Sequence, residues 1–571
     1  MDRQNLAKVR LFPRFRPDWG GMVAGLCRGM IRALRTVRAY LLKERQSPVQ
    51  DDRRVPAIAA ALIFFASLVY YGLLMFPGLG GVFNPGDSTK FQILGHTPIM
   101  PHGPGYPTVL LLGTAVRALG LPLPPWWAMT FALSVLPAAV ANAMAVLIVH
   151  RLTRHVLVAI AAGLLLGTSS LMAIQATEAE VYALNLAFIL TTLFFLVLFV
   201  QTRRVGFFVT ACAVYALSFG NHLMMVMLLP VFVWLTATHF RLILRPRPIA
   251  AILFFILVGA SQYLYLAYAA YDPNTAYSEY MPLPPRPEEL LDYIFGTYFG
   301  TLYGAGLAST QTLEALAGTL LSAHPWISAP LIIAGLVCFA TGWKRRDADW
   351  RGLALVYGAA LSFAPFMLWY GAYDIRAFHL PVLGPLLIAA AATLAWRLAY
   401  RPALVNGLAL VLLAIGAVRT EQIATLLSNR TPVFENLRPT IRQVVAQAPL
   451  DNPLVVMSYE LRMATLYYEL AGQLPRTPTY RVWWHAIPEI KSRADMNGVV
   501  VPTDGFQFVH WIEHERPELR CATREVPLQA DTRWPAYVFT CDRDPAVLPG
   551  DGTLKVSFPA PYTPEPSITY N

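Results

Sequence analysis

Long apolar runs recur along this chain, with short polar breaks between them. A helix of about 20 apolar residues crosses the hydrocarbon core of a bilayer with its backbone groups bonded internally. The pattern therefore predicts a multi-pass helical membrane protein. We expect eleven spans, near 56–76, 126–149, 156–174, 181–200, 206–220, 222–238, 249–269, 325–342, 352–370, 380–396 and 403–418.

Composition supports a membrane protein and argues against a nucleic-acid partner. Of the 571 residues, 56% are hydrophobic and only 14% are charged, and the mean hydropathy is +0.46. A soluble domain would carry roughly 25% charged residues. The net charge of +11 is concentrated in the N-terminal arm and in alternate loops, which is typical of a topology signal and not of a nucleic-acid surface.

The distribution of cations predicts the orientation. With a cytoplasmic N-terminus, the predicted cytoplasmic segments hold 26 Lys and Arg residues, and the opposite loops before residue 418 hold four. The segment Tyr106 to Leu119 is apolar but short, and counting it as a span would disturb this pattern. We therefore interpret it as a partly embedded juxtamembrane helix. The Arg-rich arm, residues 1–54, predicts either an amphipathic helix on the cytoplasmic leaflet or a disordered basic arm that only fixes orientation.

The predicted fold class is an all-α polytopic membrane protein with a small C-terminal α/β or α+β soluble domain. The membrane domain covers residues 55–418 and the soluble domain residues 419–571. Helix-like segments (439–447, 460–471) alternate there with strand-like ones (454–458, 537–540). An odd number of spans places this domain outside the cytoplasm, where a disulfide between Cys521 and Cys541 is possible; sequence does not show their geometry.

Ionisable and polar side chains gather in the five loops of the predicted outer face. Ionisable groups near a bilayer are costly unless they are used, and function commonly lies on loops held by a rigid scaffold. The candidates, in chain order, are Asp87, Lys90, His102, Tyr106, Glu178, Glu180, Tyr182, Asn221, His222, Asp374, Arg376 and His379.

Each candidate also has a structural interpretation that the sequence leaves open. Asp87 suits a helix N-terminus, and the run from His102 to Pro107 suits a rigid turn. The second-loop carboxylates can be solvated, His222 can be a satisfied interfacial side chain, and Arg376 can anchor to lipid headgroups. Their common position on one face is the stronger argument.

No nucleotide or metal motif competes with this interpretation. The sequence has no P-loop, no GxGxxG after a strand, no HExxH, no paired CxxC and no GxSxG. We therefore expect no cofactor and no metal requirement.

Several ordered motifs resemble one family. They are Asp87-Ser-x-x-Phe, His102-x-Pro-Gly-Tyr-Pro, Glu178-x-Glu-Val-Tyr-x-Leu-Asn, Gly220-Asn-His and Asp374-x-Arg-x-x-His-Leu-Pro, together with the stretch 285–300. This series is similar to a GT-C membrane glycosyltransferase family related to protein O-mannosyltransferases. The similarity runs from about residue 57 to 396. Many relatives have a carboxylate where Lys90 stands and a second Pro where Gly103 stands.

The resemblance implies a polyprenyl-phosphate-linked sugar donor and a hydroxyl acceptor, on a protein, lipid or envelope glycan, with mannose as the expected sugar. Asp87 aligns with the catalytic aspartate and would act as general base in an inverting transfer. The cations Arg376, Lys90 and His222 would bind the donor phosphate. Sugar or acceptor would contact His102, Tyr106, Glu178, Glu180, Tyr182, Asn221, Asp374 and His379.

Two other functions stay open from the sequence. A transporter or flippase for lipid-linked sugars would place ionisable residues at span centres and show internal repeats, and neither is evident. A non-enzymatic envelope assembly protein would use the C-terminal domain to bind partners. The sequence favours the transferase, in the inner membrane, with its site on the extracytoplasmic face.

Overall fold

The computed structural model describes residues 54–278, 287–302, 304, 310–342, 344, 347–371, 375–434, 436–447, 454–475, 479–482, 498–501, 512–514, 516–525 and 536–543. The predicted arm 1–54, except Arg54, lies outside these residues. The chain divides into two compact units, residues 1–435 and 436–571.

The first unit is helical, and its membrane-length helices coincide with the predicted spans. Eight helices are long and apolar enough to cross a membrane, or nine if one bent pair counts as a span, among the described residues. In chain order the helices up to the fourth loop are α1 Arg54–Leu73, α2 Pro85–Ile93, α3 Pro107–Ala118, α4 Pro125–Thr153, α5 Val156–Gly167, α6 Ser170–Thr177, α7 Tyr182–Thr202, α8 Val205–Ser218, α9 Leu229–Ile243 and α10 Pro246–Tyr271.

Seven more α-helices follow among the described residues of this unit. They are α11 Pro287–Phe295, α12 Thr310–Ser322, α13 Ser328–Thr341, α14 Ala348–Trp369, α15 Ile375–Phe378, α16 Leu380–Arg397 and α17 Pro402–Ser428. The shorter apolar helices α8 and α13 lie at the predicted spans 206–220 and 325–342, and α3 lies at the predicted juxtamembrane segment. Helices α16 and α4 are the most completely buried of the membrane-length helices, followed by α7, so these three form the core of the bundle.

Two irregular elements shape the helix ends next to the second loop. Helices α5 and α6 are bent by 65°. Inside α4, residues Phe131–Val135 form a π-helical turn, and the Ser134 hydroxyl there hydrogen-bonds the backbone of Glu180 through both its N–H (3.0 Å) and its C=O (3.2 Å). Such turns are common at functional sites. This one fixes the second loop to the bundle.

A two-stranded parallel sheet connects the first and fourth loops. Strand β1 (Ile99–Met100) pairs with β2 (Ala276–Tyr277), and Thr97 donates a hydrogen bond to the carbonyl of Asn274 at 2.6 Å. These contacts tie segments about 180 residues apart in sequence.

The second unit contains helices and a sheet, in line with the predicted α/β or α+β fold class of this region. Helices α18 (Leu437–Gln447) and α19 (Tyr459–Leu470) accompany a five-stranded sheet of order β4-β3-β5-β7-β6. The strands are β3 Leu454–Met457, β4 Thr479–Val482, β5 Gly498–Val501, β6 Leu519–Glu525 and β7 Tyr537–Arg543. Strand β3 is parallel to β4 and β5, whereas β7 is antiparallel to β5 and β6. A Cys521–Cys541 disulfide joins β6 to β7.

The last membrane helix extends past the predicted boundary at residue 418. Polar residues follow Val418, yet α17 continues to Ser428 because those residues find partners along the bundle. The Arg419 guanidinium donates to the Ser170 hydroxyl at 2.9 Å, and the Tyr70 hydroxyl donates to the Thr420 carbonyl at 2.8 Å.

Candidate active site

Asp87 lies in the first turn of the short helix α2. The Asn84 side chain accepts a hydrogen bond from the Asp87 N–H at the N-cap, and Pro85 occupies the first helical position. A carboxylate there is favoured by the helix dipole. The inner face of α2 is fixed by Gln92, whose side chain accepts from the Gly80 N–H at 2.8 Å and donates to the Thr130 hydroxyl at 3.1 Å. The local fold thus holds Asp87 rigidly.

Two cations flank the Asp87 carboxylate. Lys90 Nζ lies 2.8 Å from Oδ1, and His102 Nε2 lies 3.1 Å from Oδ2. The Lys90 side chain is fully buried, with its ammonium 4.7 Å from the centre of the Phe91 ring and 5.8 Å from that of Tyr106. Burial alone would raise the pKa of Asp87, but the charges of Lys90 and His102 outweigh it and hold that pKa well below its usual range.

The hydrogen bonds of His102 define its protonation. Its Nδ1 lies 2.8 Å from the Gly103 carbonyl, and its Nε2 faces the Asp87 carboxylate. A carbonyl and a carboxylate are both acceptors, so each ring nitrogen must donate a proton to be satisfied. His102 is therefore assigned as an imidazolium. The cluster of Asp87, Lys90 and His102, which we call the charged cluster, then carries one excess positive charge.

The loop that carries His102 is held by helix α11. The buried Tyr293 hydroxyl donates to the Pro101 carbonyl at 2.6 Å. A Cβ at position 103 would lie 2.5 Å from the Tyr293 carbonyl, and one at 105, where φ is +88°, would meet Leu266 and the Tyr293 ring below 3.0 Å. Glycine is required at both positions because another backbone or side chain approaches this closely.

Aromatic rings from four loops meet beside the charged cluster. The buried Tyr106 has a left-handed backbone (φ +50°), which is strained for a non-glycine residue. Its ring centre lies 5.5 Å from that of His102 and 5.9 Å from that of His222. His222 is in turn 6.1 Å from Tyr182 and 5.5 Å from Phe378, and the last two rings are 5.1 Å apart. The structure thus brings four predicted site residues together with Phe378, which the motifs do not single out.

His222 is a neutral imidazole of defined tautomer. Its Nδ1 accepts a hydrogen bond from the Met224 N–H at 3.2 Å, as an N-cap, so the proton is on Nε2. Burial, and then the charge of His102, lower the pKa of His222 to about 3. His222, which the sequence predicts to bind the donor phosphate, therefore presents an N–H donor and carries no formal charge.

His379 is the complementary tautomer. The Thr319 hydroxyl donates to the Ala315 carbonyl at 2.9 Å, so it accepts from His379 Nδ1 at 2.8 Å. The proton is then on Nδ1, and Nε2 is a buried acceptor without a hydrogen-bond partner in the part of the chain that the structure describes. Burial, and then the charge of Arg376, lower the pKa of His379 to about 4.

Arg376 lies three residues before His379, in the short helix α15. Its side chain is exposed, as a guanidinium that binds an incoming anion requires. Asp374, the other predicted residue of this motif, lies outside the described residues.

Glu178 holds the scaffold of the first loop. Its buried carboxylate is 2.8 Å from the Arg430 guanidinium and accepts from the Phe83 N–H at 3.1 Å. Arg430 also donates to the Leu74 carbonyl at 2.5 Å. Burial raises the pKa of Glu178, and the Arg430 charge opposes that shift. The predicted contact of Glu178 with sugar stays a prediction. No sequence signal pairs it with Arg430, which follows it by 252 residues.

Glu180 and Asn221 are both buried near the start of α7. Glu180 is 4% exposed, and its backbone is bonded to Ser134. Asn221 is fully buried and donates through Nδ2 to the Val181 carbonyl at 3.2 Å. Tyr182, Asn221 and His222 are thus neighbours, as their motifs suggest.

A lateral apolar groove of about 650 Å³ lies between helices α8, α9 and α10, with Ile294 and Phe295 at one end. Phe219, directly before Gly220-Asn221-His222, is part of its wall. The groove therefore adjoins the loops that carry the polar site. Among the residues with described positions, no three His, Cys, Asp or Glu side chains group as a metal site.

Comparison with known proteins identifies the relationship. Residues 87–242 match the family model described as "Protein O-mannosyl-transferase TMEM260 N-terminal domain". ArnT from Cupriavidus metallidurans in the apo state superposes with a TM-score of 0.50 at 12% identity, covering 84% of this chain and 97% of that one. The chain has the GT-C fold, and its residues 87–242 are similar to a protein O-mannosyl-transferase N-terminal domain.

Two further GT-C structures are similar at lower scores. ArnT bound to undecaprenyl phosphate gives 0.48 at 12% identity, covering 84% and 97% of the two chains. The archaeal oligosaccharyltransferase AglB from Archaeoglobus fulgidus gives 0.42 at 12% identity, covering 74% and 64%. No curated protein sequence matches the chain. The predicted resemblance to GT-C glycosyltransferases and the predicted fold class are confirmed, and the family match begins at Asp87.

Proposed function

We propose that this protein transfers a monosaccharide, mannose or a similar hexose, from a polyprenyl-phosphate donor to an acceptor hydroxyl with inversion. One observation carries the proposal: a rigid carboxylate between two cations, in a cluster with one excess positive charge. An anionic sugar phosphate fits this combination of charges. The family match to a protein O-mannosyl-transferase domain and the undecaprenyl phosphate on ArnT support the choice of donor.

In the proposed reaction the acceptor oxygen attacks the anomeric carbon as the bond from that carbon to the phosphate oxygen breaks. Asp87 accepts the acceptor's proton, and polyprenyl phosphate leaves with its negative charge. Arg376, Lys90 and the Nε2–H of His222 stabilise that charge. With both cations held on its oxygens, Asp87 is a weak base. A bound phosphate would share Lys90 and His102 with it and so raise its pKa, which makes donor binding a condition for proton transfer.

Purified protein, a mannosyl-phospho-polyprenol and hydroxyl acceptors (a Ser/Thr peptide and a glycan) test the function directly. We expect glycosylated product of inverted configuration, unchanged by a metal chelator. Movement of the lipid-linked sugar across liposomes without any product would instead favour a transporter. If neither a glycosylated product nor movement of the lipid-linked sugar is detected, the result would favour the non-enzymatic assembly protein.

We propose that the site and the second unit face the extracytoplasmic side of the inner membrane. The asymmetry of 26 against four cations supports this, and so does the Cys521–Cys541 disulfide, because disulfides persist in oxidising compartments.

Thiol labelling of sealed right-side-out vesicles tests this orientation. After reduction, an impermeant maleimide is expected to label Cys521 and Cys541 in intact vesicles, and Cys27 of the arm only after lysis. A variant with Ser at 521 and 541 is the control for the first signal. Labelling of that pair only after lysis would contradict the orientation.

The polyprenyl tail of the donor is proposed to lie in the groove between α8, α9 and α10. Its volume falls in the roughly 300–1,000 Å³ range of ligand pockets, and its walls are apolar, with Cys212, Phe232, Ile256 and Tyr263 among them. Its position beside Phe219 leaves the phosphate end of the lipid near His222.

Ala260→Trp, which fills the groove, is expected to raise KM for a long-tailed donor by about tenfold, since about 1.4 kcal/mol corresponds to loss of contact with roughly two methylenes. A donor with a single isoprene unit should be unaffected. Leu257→Trp, on the same helix but outside the groove wall and 69% exposed, is the matched control. Equal effects on long and short donors would contradict this placement.

A further inference from the structure

Asn185 is a buried amide that the proposed chemistry does not yet use. It lies in the first turn of α7 and is fully buried. Within the described part of the chain, neither its Oδ1 nor its Nδ2 has a hydrogen-bond partner. A buried polar group without a partner costs free energy comparable to a lost hydrogen bond, so such groups usually bind water or a ligand.

A second amide lies next to it. The Val181 carbonyl accepts the Asn185 backbone N–H at 2.9 Å and also Asn221 Nδ2 at 3.2 Å. This bond fixes which end of the Asn221 amide is oxygen. Its Oδ1 is also buried and without a partner among the described residues. The two side chains thus supply one unpartnered amide N and two unpartnered amide oxygens within the described structure.

The amides lie directly below the aromatic rings of the site. On a helix, residues three apart share a face, so Asn185 lies one turn below Tyr182. Tyr182 is 6.1 Å from His222, the residue after Asn221. Asn185 and Asn221 are therefore linked through the Val181 carbonyl, within one turn of Tyr182 and one residue of His222, and we call this pair the polar floor.

The chemistry of this floor excludes the phosphate as its ligand. Two of its three unpartnered atoms are acceptors, so the ligand must supply O–H donors as well as accept from the amide N–H. A phosphate with its ionised oxygens supplies none, and a polyprenyl chain has no polar group. A sugar hydroxyl donates one hydrogen bond and accepts others.

We propose that Asn185, together with Asn221, binds hydroxyl groups of the transferred sugar and determines which sugar is accepted. This inference rests on the proposed transferase function. It makes Asn185 a specificity residue, separate from the groups that bind phosphate or move the proton.

The test compares mannosyl-phospho-polyprenol with its monodeoxy analogues on the wild type and on Asn185→Leu. For the wild type, we expect one analogue to lose about 100-fold or more in kcat/KM, because a site built to bind a hydroxyl rejects the sugar that lacks it. With the Asn185→Leu variant, kcat/KM for the same analogue and for the parent sugar should differ by only a few-fold. Removing the sugar hydroxyl and removing the Asn185 amide abolish the same interaction, so their effects do not add.

Thr192→Val is the matched control. Thr192 is also buried on α7 with an unpartnered hydroxyl in the described structure, but it lies two turns further from the loops. It should leave the pattern of analogue discrimination unchanged. Leucine is close in shape to Asn, and loss of an unsatisfied amide is nearly neutral for folding, so Asn185→Leu should unfold at a temperature no lower than the wild type.

Three results would overturn the inference. The first is an equal loss on Asn185→Leu for every donor, which a structural water would give. The second is no loss at all. The third needs no variant: a wild type that discriminates no analogue by more than a few-fold. If the wild type transfers none of these sugars, the proposed function fails instead, and the two failures are distinct.

Discussion

Asp87→Asn is expected to reduce turnover in the transfer assay by about 10²–10⁴-fold, the usual cost of losing a general base. The amide keeps the shape of the carboxylate but cannot take the acceptor's proton. Affinity for the donor should fall less than kcat does, because Lys90 and Arg376 stay available to the phosphate. Turnover and donor KM, measured separately, check this.

The substitution also has a structural effect that the experiment must separate. Lys90 is fully buried, and its ammonium has Asp87 as its ion-pair partner at 2.8 Å. Removing one partner of a buried pair leaves an uncompensated charge and typically costs about 3–5 kcal/mol. Inactivity of Asp87→Asn alone could therefore report partial unfolding.

The double variant Asp87→Asn, Lys90→Met separates the two effects. It removes both charges, so its thermal unfolding temperature should return towards the wild-type value while activity stays absent. Recovery of activity together with stability would mean that Asp87 only neutralises Lys90. A folded Asp87→Asn variant with wild-type turnover would also show that Asp87 is not the general base.

Glu178→Ala is expected to lower the free energy of unfolding by about 3–5 kcal/mol, the second large effect. The substitution removes the carboxylate that pairs with the Arg430 guanidinium and accepts a hydrogen bond from the Phe83 N–H. The first loop therefore loses its attachment to the end of α17. Denaturant unfolding of the purified protein measures this change.

Two matched variants identify the cause. Glu178→Gln keeps one acceptor oxygen, enough for one of the two partners, and should lose less stability than Glu178→Ala. The pair Glu178→Gln, Arg430→Met removes both charges and should recover much of the remainder. A folded Glu178→Gln with wild-type turnover would assign Glu178 to the scaffold. A folded but inactive one would support the predicted contact with the sugar.

Lys90 shows how sequence and structure contribute differently to one residue. The sequence indicates an unusual cation three residues after Asp87. Only the structure shows that this lysine is buried, paired with Asp87 and close to two aromatic rings. A lysine three residues after an aspartate on a helix is near it by geometry, but solvation of the pair depends on what packs around α2.

The three histidines of the site also show how sequence and structure contribute differently. Sequence places His102, His222 and His379 on one face of the membrane, and it does not distinguish them chemically. Their hydrogen-bond partners do so: two acceptors make His102 a cation, a backbone N–H makes His222 an Nε2 donor, and Thr319 makes His379 an Nε2 acceptor. Those partners come from backbone geometry and from a residue 60 positions away.

The sequence by itself determined the helical membrane architecture, the positions of the spans, the mixture of helices and strands in the second unit and the GT-C resemblance. Apolar run length and residue order are local properties, so they can be read along the chain. Tertiary structure alone decided that Glu178 pairs with Arg430, that Tyr293 holds the His102 loop and that Asn185 has no partner. Those outcomes depend on which distant side chains meet, and packing fixes that in three dimensions.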